Sequence, residues 1–139
     1  MKNKTAKKII PTEHQECVAF VQYLEIMINA GYNIFYTKTA QETYTKSFNQ
    51  KRKNKNEGVK PGLPDYILII NYKLIFIEMK RIDKNLSKIS KYQSTWIENL
   101  KNAGIIAVVC FGFEEAKKVI DRQLGLIDRN EGKSIWNKY

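Results

Sequence analysis

The strongest constraint on this chain is a pair of apolar runs split by a short polar break: Tyr66-Ile67-Leu68-Ile69-Ile70, then Asn71-Tyr72-Lys73, then Leu74-Ile75-Phe76-Ile77. Runs of β-branched and aromatic residues of this length, with turn residues between them, predict two strands joined by a tight connection. Such a hairpin brings its outer ends together, and these ends carry Asp65 and Glu78. Two carboxylates held side by side raise one another's pKa, and a divalent cation is the natural partner that makes the pair tolerable. Lys80 follows Glu78 by two residues, which sets its ammonium on the same face of the strand. An acid, an acid and a lysine around Mg²⁺ or Mn²⁺ suit phosphodiester hydrolysis. The competing explanation is a surface hairpin with ordinary charges at its ends, but like charges on one face cost stability unless something binds them.

The wording around these residues, GVKPGLPD at 58–65 and IEMK at 77–80, resembles the PD-(D/E)XK nuclease superfamily and, more narrowly, its VRR-Nuc branch. The resemblance runs from about Thr12 to about Gly112. It implies an α/β fold with a restriction-endonuclease-like core: helix, three strands, helix and fourth strand on a mixed central sheet, followed here by a C-terminal helix. It also implies a metal site in which Asp65, Glu78 and the backbone carbonyl of Met79 hold Mg²⁺ or Mn²⁺, with Lys80 as the catalytic lysine that positions the attacking water, helps deprotonate it or neutralises charge on the phosphorane. Related nucleases carry a glutamate near the start of the first helix; Glu13 is the match and Glu16 the fallback. They also carry a glutamine in the second core helix that points toward the site, and Gln93 matches it.

Along the chain, residues 1–11 are polar and basic and read as a flexible arm. A single domain is expected over 12–124. Thr12 with Gln15 three residues on is a capping-box pattern, opening a helix to about Ala30 with Gly31 as its stop. Val18, Val21, Tyr23, Leu24, Met27 and Ile28 give it an apolar face. Glu13 in its first turn would be favourable to the helix dipole whatever else it does. Tyr32 to Thr37 reads as the first strand. The stretch at about 39–60 reads as a long structureless loop, rich in Lys46, Lys51, Arg52, Lys53, Lys55 and Lys60; such a loop is functional or disordered. Tyr44 and Phe48 within it are placed either to stack on unpaired bases or to pin the loop to the core. Gly58, Gly62 and Pro64 shape the chain as it enters the acidic pair. A helix follows from Ser87 or Ser90 to Ala103, with Trp96, Ile97 and Leu100 buried and Lys88 and Lys91 beside Gln93. Ile105 to Phe111 is a buried strand, Glu114 to Leu124 a last helix, and 125–139, with Trp136, an unassigned tail.

Lys and Arg number 24 against 14 Asp and Glu, a formal charge of +10, which favours a polyanionic partner. The lysines and arginine of the loop, with Lys88 and Lys91, are the expected phosphate contacts. One histidine, His14, and two cysteines, Cys17 and Cys110, without a CxxC pair argue against a structural zinc site and an HNH-type nuclease; both thiols are expected to be buried and inert. No stretch has the length of a membrane span and no signal segment follows Met1, so a soluble, cytoplasmic protein is expected. The Lys, Ile and Asn vocabulary hints at an AT-rich genome, and the small size at a phage or mobile element. The function expected is metal-dependent endonucleolytic cleavage of DNA. Small stand-alone proteins of the branch resemble Holliday-junction resolvases, which act as homodimers on branched DNA. The alternatives are a less selective flap, nicking or restriction-type nuclease, and a non-catalytic DNA-binding protein on the same fold.

Overall fold

A computed structural model describes residues 9–39 and 47–127. The expectations for the arm up to residue 8, for Tyr44, Lys46 and the tail with Trp136 lie outside the described residues. The first helix, α1 (Glu13–Asn29), opens on the expected capping box: Thr12 Oγ1 accepts from Gln15 N at 3.2 Å while Gln15 Oε1 accepts from Thr12 N at 2.8 Å. Cys17, Phe20 and Leu24 form its buried stripe, whereas Val18 is exposed, one position off the face to which the sequence assigned it. Four strands follow: β1 (Ile34–Lys38), β2 (Tyr66–Ile70), β3 (Lys73–Lys80) and β4 (Ile106–Phe111), lying in the order β1-β2-β3-β4. The first three are antiparallel neighbours, and β4 joins β3 in parallel, so the sheet is mixed as expected.

Ile70 pairs with Lys73, so the hairpin turn is two residues, Asn71-Tyr72, and Lys73 belongs to the strand. Both turn residues have positive φ, 49° and 65°, the conformation that matches the right-handed twist of a hairpin. The crossover from β3 to β4 runs through a short 3-10 turn (Lys84–Leu86) and a helix whose cap is Ser90, not Ser87. The stretch 39–60 is not structureless: Ser47 caps a helix, α2 (Phe48–Asn56), every residue of which lies outside the core. Its sequence, FNQKRKNKN, carries no apolar period to announce it; Lys, Arg and Gln are good helix formers without one. Phe48 is 78% exposed and does not pin this segment to the core. The crossover helix is α3 (Lys91–Asn102), and α4 (Phe113–Gln123) closes the domain.

Helices α1 and α4 cover one face of the sheet, burying Phe20, Leu24, Tyr66, Leu68, Ile75, Ile77 and Met79. Helix α3 covers part of the other with Ile97 and Leu100 against Phe76 and Ala107. Because strand side chains alternate, Ile75, Ile77 and Met79 point to α1 and α4, which leaves Phe76, Glu78 and Lys80 on the α3 side. β4 is an edge strand, so the apolar run that forms it buries Ala107 and Cys110 while its remaining residues stay half-buried.

Candidate active site

The strand register decides which charges meet. Tyr66 pairs with Ile77, and the next step along the ladder sets Asp65 directly opposite Glu78. Asp65 is fixed from both sides. Thr39 N donates to its carbonyl at 2.7 Å, and its Oδ2 accepts from Met79 N at 2.8 Å. A residue's N–H and C=O leave an extended strand on the same side, so the Met79 carbonyl also faces Asp65.

Glu78 is 2% exposed. Its Oε1 takes both partners available to it: Lys80 Nζ at 3.0 Å and the side-chain amide of Gln93. Its Oε2 is buried and has no hydrogen-bond partner, an arrangement that native interiors rarely tolerate without a ligand or a purpose. Burial first, and the Asp65 charge second, push the Glu78 carboxyl up to about 7 despite the nearby Lys80 ammonium. Lys80 is itself 8% exposed, so the ion pair sits in a weakly screened environment.

Gln93 does two jobs with one amide. Its oxygen accepts from Ser90 N at 2.9 Å, completing the capping box of α3, and its nitrogen reaches Glu78. A glutamate would cap the helix equally well but would confront Glu78 with a like charge. The approach of α3 depends on Gly62: a Cβ there would lie 2.5 Å from the Tyr92 carbonyl carbon, and its φ is +92°. The glycine expected only to shape the chain therefore brings the PD loop against the first turn of α3, next to Gln93.

The start of α1 reaches the same end of the sheet. Arg81, one residue past Lys80, donates from Nε to the Pro11 carbonyl at 3.1 Å and from Nη2 to that of Ile10 at 3.3 Å. Glu16 is buried and accepts from Phe113 N at 2.7 Å, which caps α4, whose Gly112 N-cap has no side chain of its own for that role. Glu13 is exposed. Burial raises the Cys17 thiol, the Tyr66 hydrogen bond and Lys38 oppose this, and the negative charges of Asp65 and Glu13 add to it. Arg81 was not among the expected residues, because it belongs to no motif and only the fold brings the start of α1 against it; Lys38, likewise outside any motif, ends β1 opposite Tyr66 with its Nζ 5.8 Å from the centre of that ring.

The remaining expected residues are dispersed. Lys51, Arg52, Lys53 and Lys55 lie exposed on α2, and Lys53 is 3.9 Å from Glu57. Lys60 lies beside the PD loop, and Lys88 and Lys91 flank the start of α3, all exposed. Both cysteines are free and buried, and burial pushes Cys110 up to about 12.

Among the described residues no group of three or more His, Cys, Asp or Glu side chains converges as a metal cluster. The donors at the sheet end are Asp65, Glu78 Oε2 and the Met79 carbonyl, all oxygens, which is the chemistry of Mg²⁺ and Mn²⁺; magnesium characteristically uses one or two carboxylates and completes its shell with water and phosphate oxygens. The orphaned Oε2, buried opposite Asp65, fits such an ion. No helix among the described residues is long and apolar enough to cross a membrane.

No curated protein sequence matches this chain. A solved structure described as a "VRR_NUC domain protein" is similar to it over 86% of this chain and 93% of that one, at 25% identity and a TM-score of 0.58. The family model described as "VRR-NUC domain" matches residues 4–114, which include the whole PD loop, the IEMK strand and α3. The chain therefore belongs to the VRR-NUC domain family, a nuclease branch of the PD-(D/E)XK superfamily.

Proposed function

We propose that the protein is a Mg²⁺- or Mn²⁺-dependent endonuclease that hydrolyses DNA phosphodiester bonds, with branched DNA as its preferred substrate and a homodimer as its working form. The observation that carries the metal-dependent reading is Glu78 Oε2, buried, unpartnered and opposed by a second carboxylate. In this reading Asp65, Glu78 and the Met79 carbonyl hold the cation, and Glu13 reaches the site from the start of α1. When bound, the cation supplies Lewis-acid polarisation of the phosphate and acidifies water.

The protein's own groups do the rest. Gln93 and Lys80 grip Glu78 by Oε1 and so orient the carboxylate. The Lys80 ammonium, next to that carboxylate, neutralises charge that builds on the phosphate oxygens. Asp65 stays fixed by the Met79 amide, so no reorganisation is needed as substrate enters. Lys46, Lys51, Arg52, Lys55, Lys60, Lys88 and Lys91 contribute phosphate contacts that position the DNA without reading its sequence.

The test is cleavage of labelled four-way junction, flap, linear duplex and single-stranded DNA with Mg²⁺, Mn²⁺ or chelator, by the wild type and Lys80→Ala. Paired symmetric cuts in the junction, absent in chelator and in the variant, support the full reading. Cuts that persist in chelator or in Lys80→Ala refute the assignment, and preferential cutting of another substrate replaces the junction.

A further inference from the structure

A groove of about 380 Å³ lies beside the site, lined by Lys60, Pro61, Tyr92, Thr95, Trp96 and Asn99. Clefts that hold small ligands commonly measure about 300–1,000 Å³. It runs between the PD loop and α3, one residue from Gln93, whose amide holds Glu78. Tyr92 and Trp96 are four residues apart and so share one side of the helix. The Trp96 indole N–H donates to the Pro61 carbonyl at 2.9 Å and the ring packs in part on the core cluster of Phe76, Ile97 and Leu100, which fixes it and leaves its groove-lining part, not its donor, for a ligand. Tyr92 is 63% exposed, and its backbone and Cβ are braced against Gly62. Thr95 donates its hydroxyl to the Lys91 carbonyl at 2.9 Å and can only accept from a ligand, so the side-chain donors that line the groove for a ligand are the Asn99 amide, the Lys60 ammonium and the Tyr92 hydroxyl.

Two aromatic side chains, one amide and one cation match a nucleobase with its phosphate: the rings stack on the base, the amide meets its edge and the ammonium its backbone. A base inside a duplex is stacked on its neighbours and has no face to offer. We infer that this groove takes an unstacked nucleobase of a DNA branch point beside the scissile phosphate, and so favours branched DNAs that expose such a base over continuous duplex. The inference rests on the nuclease reading for the position of the phosphate, whereas base binding itself requires no cleavage.

The experiment uses the full chain in chelator with two DNAs of equal length: a fork carrying one unpaired 2-aminopurine at the branch, and the fully paired duplex. The wild type should prefer the fork and quench the 2-aminopurine as it stacks. Tyr92→Ala, which keeps the Cβ against Gly62, should lose about tenfold of that preference along with the quenching, and Tyr92→Phe should retain both. Equal wild-type affinity for the two DNAs, or a Tyr92→Ala variant that weakens both alike or still quenches, overturns the inference. Should Tyr92→Ala fail to fold by circular dichroism, Tyr92→Leu, which fills the same space without an aromatic face, is held to the same criteria. Cleavage of the same DNAs in Mn²⁺ separates the two claims: no wild-type cleavage of either DNA refutes the nuclease reading alone, and cleavage without fork preference refutes the groove alone.

Discussion

Replacing Glu78 by glutamine should make the metal-free protein more stable at neutral and alkaline pH while removing its activity. In the fold the Glu78 carboxyl titrates at about 7, against an ordinary value of 4.5. The native state therefore holds its proton longer than the open chain does. Stability from this group is complete below pH 4.5, falls as pH rises toward 7, and stays low above it. The gap corresponds to about 3 kcal/mol, with the opposing Lys80 ion pair already included. Glutamine has the shape of the protonated acid and no charge to lose, so Glu78→Gln should match the wild type at pH 4 and exceed it by about 3 kcal/mol at pH 8. For a chain of this size that is roughly 10 °C in Tm. Urea unfolding of both proteins in chelator, from pH 4 to 8, reads the difference, because groups remote from Glu78 titrate alike and cancel. Adding Mn²⁺ at pH 8 should raise the wild-type Tm and leave the variant's nearly unchanged. Parallel pH profiles for the two proteins would refute the argument, since Glu78 would then carry no burial penalty for a cation to relieve.

Gly62→Ala should cost about 2 kcal/mol or more and lower cleavage, because the new Cβ meets the Tyr92 backbone at 2.5 Å in a positive-φ conformation; thermal unfolding and single-turnover cleavage check both effects. On α2, Lys51, Arg52 and Lys55 share the exposed side that carries Phe48, while Lys53 turns toward Glu57. Neutralising the first three should flatten the salt dependence of DNA binding by about three units of slope, and Lys53→Ala by less, as measured by fluorescence anisotropy across a salt series. Tyr72, almost fully exposed and at φ 65°, occupies a turn position that favours glycine, so Tyr72→Gly should stabilise the fold by about 1 kcal/mol in urea titration.

The elements built on local chemistry were legible in the sequence. The capping box at Thr12, Ser90 as one of two candidate caps, the apolar runs of β2 and β3, and the meeting of Asp65 with Glu78 all follow from spacing and residue type. What escaped had no periodic or motif signal. Helix α2 buries nothing, so no apolar stripe announces it. Val18 was placed on the wrong side of α1 because a run of apolar residues does not say where the stripe's edge falls, and Phe20, fully buried, carries the packing there. Only half of the double use of Gln93 was expected: the resemblance points it toward the site, its capping of α3 was not foreseen, and its reach to Glu78 depends on Gly62 letting α3 come close. Arg81 and Lys38 gain their positions only once β1, β3 and the start of α1 converge at one end of the sheet.

The claim that these residues form a metal-dependent hydrolytic site is tested most directly by single-turnover cleavage of branched DNA at saturating Mn²⁺, by the wild type, Asp65→Asn and Glu78→Gln, each first shown to unfold cooperatively. The account predicts wild-type cleavage that chelator abolishes and that neither folded variant supports. Cleavage by either variant at the wild-type rate would contradict it.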